Sequence, residues 1–551
     1  MKDLIHKLGV YPLVLLWAIA CFCFFQFSYE YHFFYQEQNQ LFLGTLDYLC
    51  SYLNRPGWLA CMMGDFLTQF YYYRYAGAII LTLSLLLLGA SVAFGLKATS
   101  AKDSDAKASS NKLSWVSWLG AFISMTFVAG CSLHYDYRLS SVYAWIGGAT
   151  MFCIGSRALL ANRRWLSVLS IIVSAFLCHW LFGCGIWLYG ALLIISCARS
   201  IKQPGTIYRL VALIIPFFLL PLTKRLYLME YSTIYTYPGI GKLVKPQFEL
   251  EKTLAADCEY YFGNYNKVVN IVEREEAPNR YQKFYYNMVM AQRDKLPDAL
   301  LRYPDNNLGT FDTVGPDTPP LTIKTIGELY WLLGDMTFAE RATTLANVQS
   351  NDKRNIRMVK RLAEINLVTG EYQAARKYLR ILRNTFVWRG WASNILSAID
   401  EHANAEEKAC LKPYLDKRPF TNTRDTLRLN DNCYTIMREL AESNPANSIA
   451  INYMLCSDLL LKDMDTFKHD YDAYYLPRQA SSAPLYQQAL MIYLAGTNAA
   501  PAEWQRYIKG TDLLQSFKQY NEQRGSLAFS NTYWYYFDKA PVPQLNNSTS
   551  K

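Results

Sequence analysis

Acidic side chains are scarce in the first part of this 551-residue chain. Residues 1–225 carry 8 Asp/Glu against 17 Lys/Arg, and the remainder carries 37 against 38. The net charge of +10 therefore sits almost wholly in that first part. The balanced remainder offers no basic face of the kind a nucleic acid requires. Metal-type cysteine spacing is also missing. The 13 cysteines form no CxxC pair and no Cys/His group, and Cys21/Cys23 and Cys178/Cys184 read as small apolar side chains. There is no GxSxG, Walker loop, HExxH or paired cysteine nucleophile, which sets aside the reactions those motifs serve. Lys2 and Lys7 precede an apolar run, but no small-x-small site follows it, and Ala18-Ile19-Ala20-Cys21 makes a poor lipobox. The run reads as a retained anchor rather than a cleaved leader.

What the first part does contain is long apolar runs, at 8–27, 75–96, 114–132, 139–157, 165–182, 184–198 and 207–222. About 20 apolar residues cross a hydrocarbon core of about 30 Å, so seven spans are predicted. The fifth and sixth are short and separated only by Phe182-Gly183-Cys184-Gly185, as two spans in a tight hairpin or a re-entrant pair. With the N-terminus inside, the inner segments hold Lys2, Lys7, Lys97, Lys102, Lys107, Lys112, Arg157, Arg163, Arg164, Arg199, Lys202 and Arg209, and the short outer loops only Arg55, Arg74 and Arg138. Retention of cations on the cytoplasmic side then places everything after Thr223 outside, in a periplasm. The polar stretch 97–113 reads as a flexible cytoplasmic linker.

Residues 28–74, between the first two spans, are too polar to cross a bilayer and too apolar to leave it. Apolar residues at 42, 46, 49, 50 and 53, and again at 59, 62, 63, 66, 67 and 70, make two one-sided helices. Such helices lie in the membrane interface. Asn54-Arg55-Pro56-Gly57 separates them, and Tyr71-Tyr72-Tyr73 marks the interfacial aromatic belt.

After a connector at 223–247 the pattern turns helical. Paired helices with a Gly-acid-aromatic type of turn recur at Gly263-Asn264-Tyr265, Gly334-Asp335-Met336 and Gly370-Glu371-Tyr372, with a degenerate copy at Lys462-Asp463-Met464. The glycines are 71 and 36 residues apart. This grammar resembles tetratricopeptide repeats, whose period is about 34, and generic helical hairpins fit it as well. Repeats of that kind bury their apolar faces by stacking and bind protein segments, so a protein partner is expected here. Tyr303 to Leu321 is a Pro/Gly-rich loop, the aromatic run at Tyr533–Phe537 reads as a core-packing element, and 541–551 is a polar tail. The expected fold is mainly α: a polytopic transmembrane helical bundle (1–222), a linker (223–247), and a soluble all-helical, tetratricopeptide-like domain (248–540).

Candidate chemistry gathers on the outer side. Glu30 and His32 follow the first span, and His134, Asp136 and Arg138 fill the short loop after the third. Ionisable groups at a membrane boundary are costly and tend to be functional, although they also mark where apolar spans end. Arg55 is placed to meet a lipid-linked phosphate or to snorkel at a headgroup. Mid-span, only His179 is ionisable, too little for an ion-coupled transporter.

Two resemblances follow from these residues. Residues 28–80, especially Glu37-Gln38, Asn54-Arg55-Pro56-Gly57-Trp58-Leu59-Ala60 and Phe66-Leu67-Thr68-Gln69-Phe70-Tyr71, resemble an uncharacterised bacterial family of multi-span membrane proteins with helical C-terminal tails. The layout of spans, interfacial loop helix and outer acids also resembles the integral-membrane glycosyltransferases of the C-type fold. That second resemblance implies sugar transfer from a polyprenyl-phosphate carrier to an envelope glycan or protein. Glu30 would be the base and Asp136 a second acid able to hold a divalent metal (Mg or Mn). His32, Glu37, Arg55, Gln69, Arg74, His134 and Arg138 would contact substrate. The chain departs from that pattern in having no Asp-Asp or Asp-x-Asp pair after the first span, a very short second outer loop and fewer spans. The competing expectation is a non-enzymatic envelope scaffold whose repeats recruit a secretion, export or glycan-assembly partner.

Overall fold

A computed structural model of the chain describes residues 10–98, 107–159, 164–199, 206–303, 318–350, 353–400, 402–422, 433–478 and 483–541. Every regular element among the described residues is helical. The chain divides into two compact units. The first takes in residues 1–251 with two short later segments, Arg354–Ile356 and Ile381–Trp391. The second comprises Lys252–Lys353, Arg357–Arg380 and Ala392–Lys551.

In the first unit, the seven apolar runs become α1 (Tyr11–Phe27), α5 (Ala76–Ala98), α6 (Lys107–Cys131), α7 (Leu139–Leu159), α8 (Arg164–Phe182), α9 (Gly185–Arg199) and α10 (Thr206–Leu219), with α2 (Tyr31–Gln38), α3 (Leu46–Ser51) and α4 (Trp58–Thr68) in the first loop. Among the described residues, Ala76–Ala98, Trp165–Phe182 and Thr206–Tyr227 are long and apolar enough to cross a membrane. A fourth candidate is the pair α1 and α2, bent by 69° at Ser28–Glu30. Of α6 and α7 only the parts Trp115–Cys131 and Leu139–Gly155 enter that count, and like Gly185–Arg199 they fall below 18 residues. Length and composition thus support three or four crossings where apolar runs alone gave seven. Gly183, at φ +55°, breaks the backbone between α8 and α9 and keeps α9 short. Residues 99–106 lie outside the described residues, but α6 starts at Lys107, so the end of the polar stretch 97–113 is helical.

α5 packs against α6 and α7, and α7 against α4, α8 and α9. Small residues let these helices touch. A Cβ on Gly148 would lie 2.1 Å from the Gly185 carbonyl oxygen, a backbone-to-backbone approach that only glycine permits. Many large apolar side chains of the unit point outward, among them Leu16, Phe94, Trp115 and Phe218. A bundle in water hides such side chains; one in lipid has no reason to.

The second unit is built from helical hairpins. α11 (Phe248–Tyr261, whose first four residues count with the first unit) and α12 (Tyr265–Glu273) turn at Gly263, α14 (Pro320–Leu333) and α15 (Met336–Gln349) at Gly334, and α16 (Ile356–Thr369) and α17 (Tyr372–Arg383) at Gly370. α13 (Arg280–Gln292) lies between the first two pairs in sequence. All three glycines adopt positive φ, as does Lys462 in the fourth turn. Asp335 and Asp463 cap the helices that follow, accepting from Phe338 N at 3.0 Å and Thr466 N at 3.1 Å. The aromatic run forms a helix, Tyr533–Lys539, with Tyr533 and Trp534 buried in the core. The Pro/Gly-rich loop at 304–317 and the tail from 542 lie outside the described residues.

One polar network runs through this apolar core. Asp257 receives Lys324 at 2.6 Å and Arg357 at 3.0 Å; Arg357 also reaches Glu328 at 2.9 Å. Arg361 bridges Glu328 (2.6 Å) and Glu364 (2.8 Å), and Lys360 pairs with Glu364 at 2.5 Å. Burial alone would push the Asp257 carboxyl up, but Arg357 and Lys324 outweigh it and hold it at about 2. A buried ion network is weak support for stability but a strong constraint on how these helices pair.

Candidate functional site

The first outer loop is organised by buried aromatics. Tyr29 is fully buried; its hydroxyl donates to the Leu133 carbonyl at 3.0 Å and accepts from Gln247 N at 3.1 Å. His32 is buried beside it, with Nδ1 at 2.5 Å from the Tyr29 carbonyl. Burial pushes its imidazole down to about 3, so His32 is neutral at physiological pH. Buried as it is, it supplies no cation to the loop.

Glu30 sits at the bend between α1 and α2. Gln26 Nε2 donates to its carboxylate at 2.8 Å, and Arg74 approaches at 3.9 Å. Asp136 stands exposed at the tip of the loop after α6, its own N–H donating to His134 Nδ1 at 3.2 Å. Among the described residues no group of three or more His, Cys, Asp or Glu side chains could hold a metal. Asp136 offers one of the one or two carboxylates by which a protein commonly holds Mg beside waters and substrate phosphates.

Of the three arginines expected to meet substrate, Arg55 and Arg138 both act on Cys61, while Arg74 approaches Glu30. Burial and Asp65 push the Cys61 thiol up, while Tyr237, Arg55 and Arg138 act on it in the opposite direction. Arg55 Nη1 donates to the Tyr237 hydroxyl at 3.0 Å. The Asn54–Gly57 break places it there: Gly57, at φ +68°, turns its N–H onto the His179 and Trp180 carbonyls (3.1 and 2.9 Å) at the end of α8. A Cβ on Gly57 would lie 2.8 Å from Gly183 N.

Glu37 and Gln69 have a different role. Both are buried and line a cavity of about 10 Å³ with Gln40, Phe42, Thr68, Ile356 and Val387, room for about one water. Around it the loop holds the two later segments of this unit. The Gly44 N–H donates to the Asn384 carbonyl at 2.9 Å and the Ile356 N–H to the Gln40 carbonyl at 3.3 Å. Asn355 Nδ2 donates to Asn39 Oδ1 at 2.7 Å, and the Phe386 N–H to Gln69 Oε1 at 3.3 Å. Phe70 packs on Phe386 and Tyr72 on Trp388, with ring centroids 5.1 and 5.6 Å apart. The larger cavity of this unit is elsewhere. A cleft of about 690 Å³, walled by Tyr11, Phe94, Lys97, Trp118 and Cys153, lies at the bundle end where α1 begins and α5 finishes, opposite Glu30.

Sequence reasoning missed Glu251. Its carboxylate is buried, takes the Tyr31 N–H at 2.5 Å on one oxygen and the Tyr135 hydroxyl at 2.8 Å on the other. It thereby caps α2 from an element more than two hundred residues away. Burial raises its carboxyl to about 7; Tyr135 and the N–H groups of Tyr31 and His32 pull it down, and the Glu30 charge pushes it further up. The Glu30 charge is thus a lesser influence on Glu251, behind burial and its hydrogen bonds. In sequence Glu251 is one of two acids in the first turn of a helix, the commonest and blandest place for one. No signal set it apart.

The chain belongs to a family of unknown function, DUF6057, which it matches over residues 5–540. No curated protein and no solved structure matches it.

Proposed function

We propose that this is a multi-span bacterial inner-membrane protein with a cytoplasmic N-terminus, whose helical C-terminal part stands in the periplasm, stacks its hairpins in the manner of tetratricopeptide repeats, and docks a protein partner in envelope secretion, export or glycan assembly. One observation carries this reading. The polar groups of the first outer loop are spent on holding chain: Gln69, Asn39, Gln40 and Gly44 bond Arg354–Ile356 and Ile381–Trp391. A loop filled in this way favours anchoring over catalysis, since sugar transfer needs an open volume beside its acid.

A second reading, transfer of a sugar from a polyprenyl phosphate, draws support from Arg55 and Arg138 near Cys61 and from Glu30, whose charge reaches Glu251. In it the arginines would face the phosphate and Glu30 would take the acceptor's proton.

Complementation separates the two. In a strain lacking the protein, Glu30→Gln, Asp136→Asn and Glu251→Gln are expected to restore the envelope phenotype fully, while Gln69→Ala with Phe386→Ala is not. Loss of surface glycan in the carboxamide variants at unchanged protein level would overturn docking in favour of sugar transfer.

A further inference from the structure

The second unit contains a cleft of about 460 Å³, lined among others by Tyr261, Trp331, Lys360, Arg361, Tyr414 and Lys417. Its charges do not balance. The network beneath and around it holds three carboxylates (Asp257, Glu328, Glu364) and five cations (Lys324, Arg357, Lys360, Arg361, Lys417). Each carboxylate is shared by two cations, and Lys417 is left over. Its ammonium donates to the Leu332 carbonyl at 3.4 Å and lies 5.0 Å from the centre of the Trp331 ring. Arg361 lies over the same ring at 4.4 Å. Among the described residues no carboxylate pairs with Lys417. Burial, and then the Arg361 charge, push it down to about 8.

We infer that this cleft binds an acidic peptide segment, taking a side-chain carboxylate between Lys417 and Arg361. A surplus of half-buried positive charge calls for an anion, because like charges held together out of water are costly until one arrives. The walls decide which anion. The rings of Trp331 and Tyr261 are already covered by cations, Arg361 and Lys417 on the one, Arg357 and Lys360 on the other. They are not open for a sugar ring to stack upon. What they leave is ring edges with Leu332 and Pro413, which suit the apolar side chains flanking an acidic residue. The inference gives the partner of the docking reading its chemistry and rests on that reading.

The test uses the full-length protein in detergent and a labelled peptide alternating glutamate with leucine. Saturable binding is expected, weakened about tenfold or more by Lys417→Gln, as for loss of one charge-assisted contact. Lys417→Arg should retain it within a few-fold, and the glutamine counterpart peptide should not bind. Because a charge at Lys417 is disfavoured where it sits, Lys417→Gln should not lower the thermal midpoint, which separates lost binding from lost fold. The assignment falls if the acidic peptide does not saturate, if Lys417→Gln leaves its affinity unchanged, or if oligogalacturonate binds at Lys417 and the peptide does not. Any of these outcomes, with complementation by the carboxamide variants intact, overturns this cleft's role and leaves the docking reading standing.

Discussion

Glu251 is a carboxyl that must choose between water and the cap it provides. Its folded value, about 7, is raised from an ordinary 4.5. A group raised in this direction contributes stability that is complete below the ordinary value and is lost as pH rises through the folded one. Glu251→Gln keeps an acceptor for the Tyr31 N–H and removes the charge. The variant should therefore unfold later than wild type at pH 8, by on the order of 1 to 3 kcal/mol, and the gap should close as pH falls from 7 towards 4.5. His32 has the opposite sign: with its folded value near 3, it costs stability as pH falls below its ordinary 6.5. Only the difference between wild type and variant isolates Glu251. Thermal unfolding across that pH range checks it, and a gap that does not change with pH would refute the assignment. Neither effect was legible in the sequence, because desolvation depends on neighbours such as Tyr135 and Phe25 that arrive from elsewhere in the chain.

Elements were more legible than sites. Each apolar run of the first 225 residues became a helix, and each of the four turn signatures joined two helices, because periodicity and glycine placement are local properties. Asp335 shows the local logic at its clearest. It follows the left-handed Gly334, is buried, and caps Phe338 N. Asp335→Ala should cost the second unit about 1 kcal/mol, read as an earlier thermal transition of the full chain. Asp335→Asn should recover most of it, and equal loss in both would assign Asp335 some role other than capping. The loop helices were legible as well, but not their surroundings. Along α4 the apolar positions read from the sequence stay at least partly exposed, Met63 and Phe66 most of all, while Ala60, Cys61, Gly64 and Asp65 on the opposite side are buried against protein. Amphipathicity gives a helix an apolar face and is silent about what covers it.

At the scale of the whole molecule, charge bias and span count make one joint claim: an N-terminus inside and residues after Thr223 outside. A reporter active only in the periplasm, fused after Lys551, should be active, and one fused after Lys2 silent; the reverse pattern would sink both orientation and docking. Among the described residues three helices are long and apolar enough to cross, and both reporters silent would mean an even number of crossings with the N-terminus inside. The glycosyltransferase-like core was drawn from layout, and layout does not say whether Glu30 and Asp136 converge. Glu30 is paired with Arg74, and Asp136 lies at an exposed loop tip.

The first unit counts among its members Arg354–Ile356 and Ile381–Trp391, and its loop bonds them across separations of 316 and 317 residues. During synthesis, then, the spans are made long before the residues that finish the loop. Until residue 391 has emerged, the Gly44 N–H, the Gln40 carbonyl and the Gln69 side-chain oxygen wait without these partners, and a polypeptide ending at Glu251 would leave them waiting permanently. The first unit is not separable by scissors at its apparent boundary, Glu251, because its loop is completed only by the later chain.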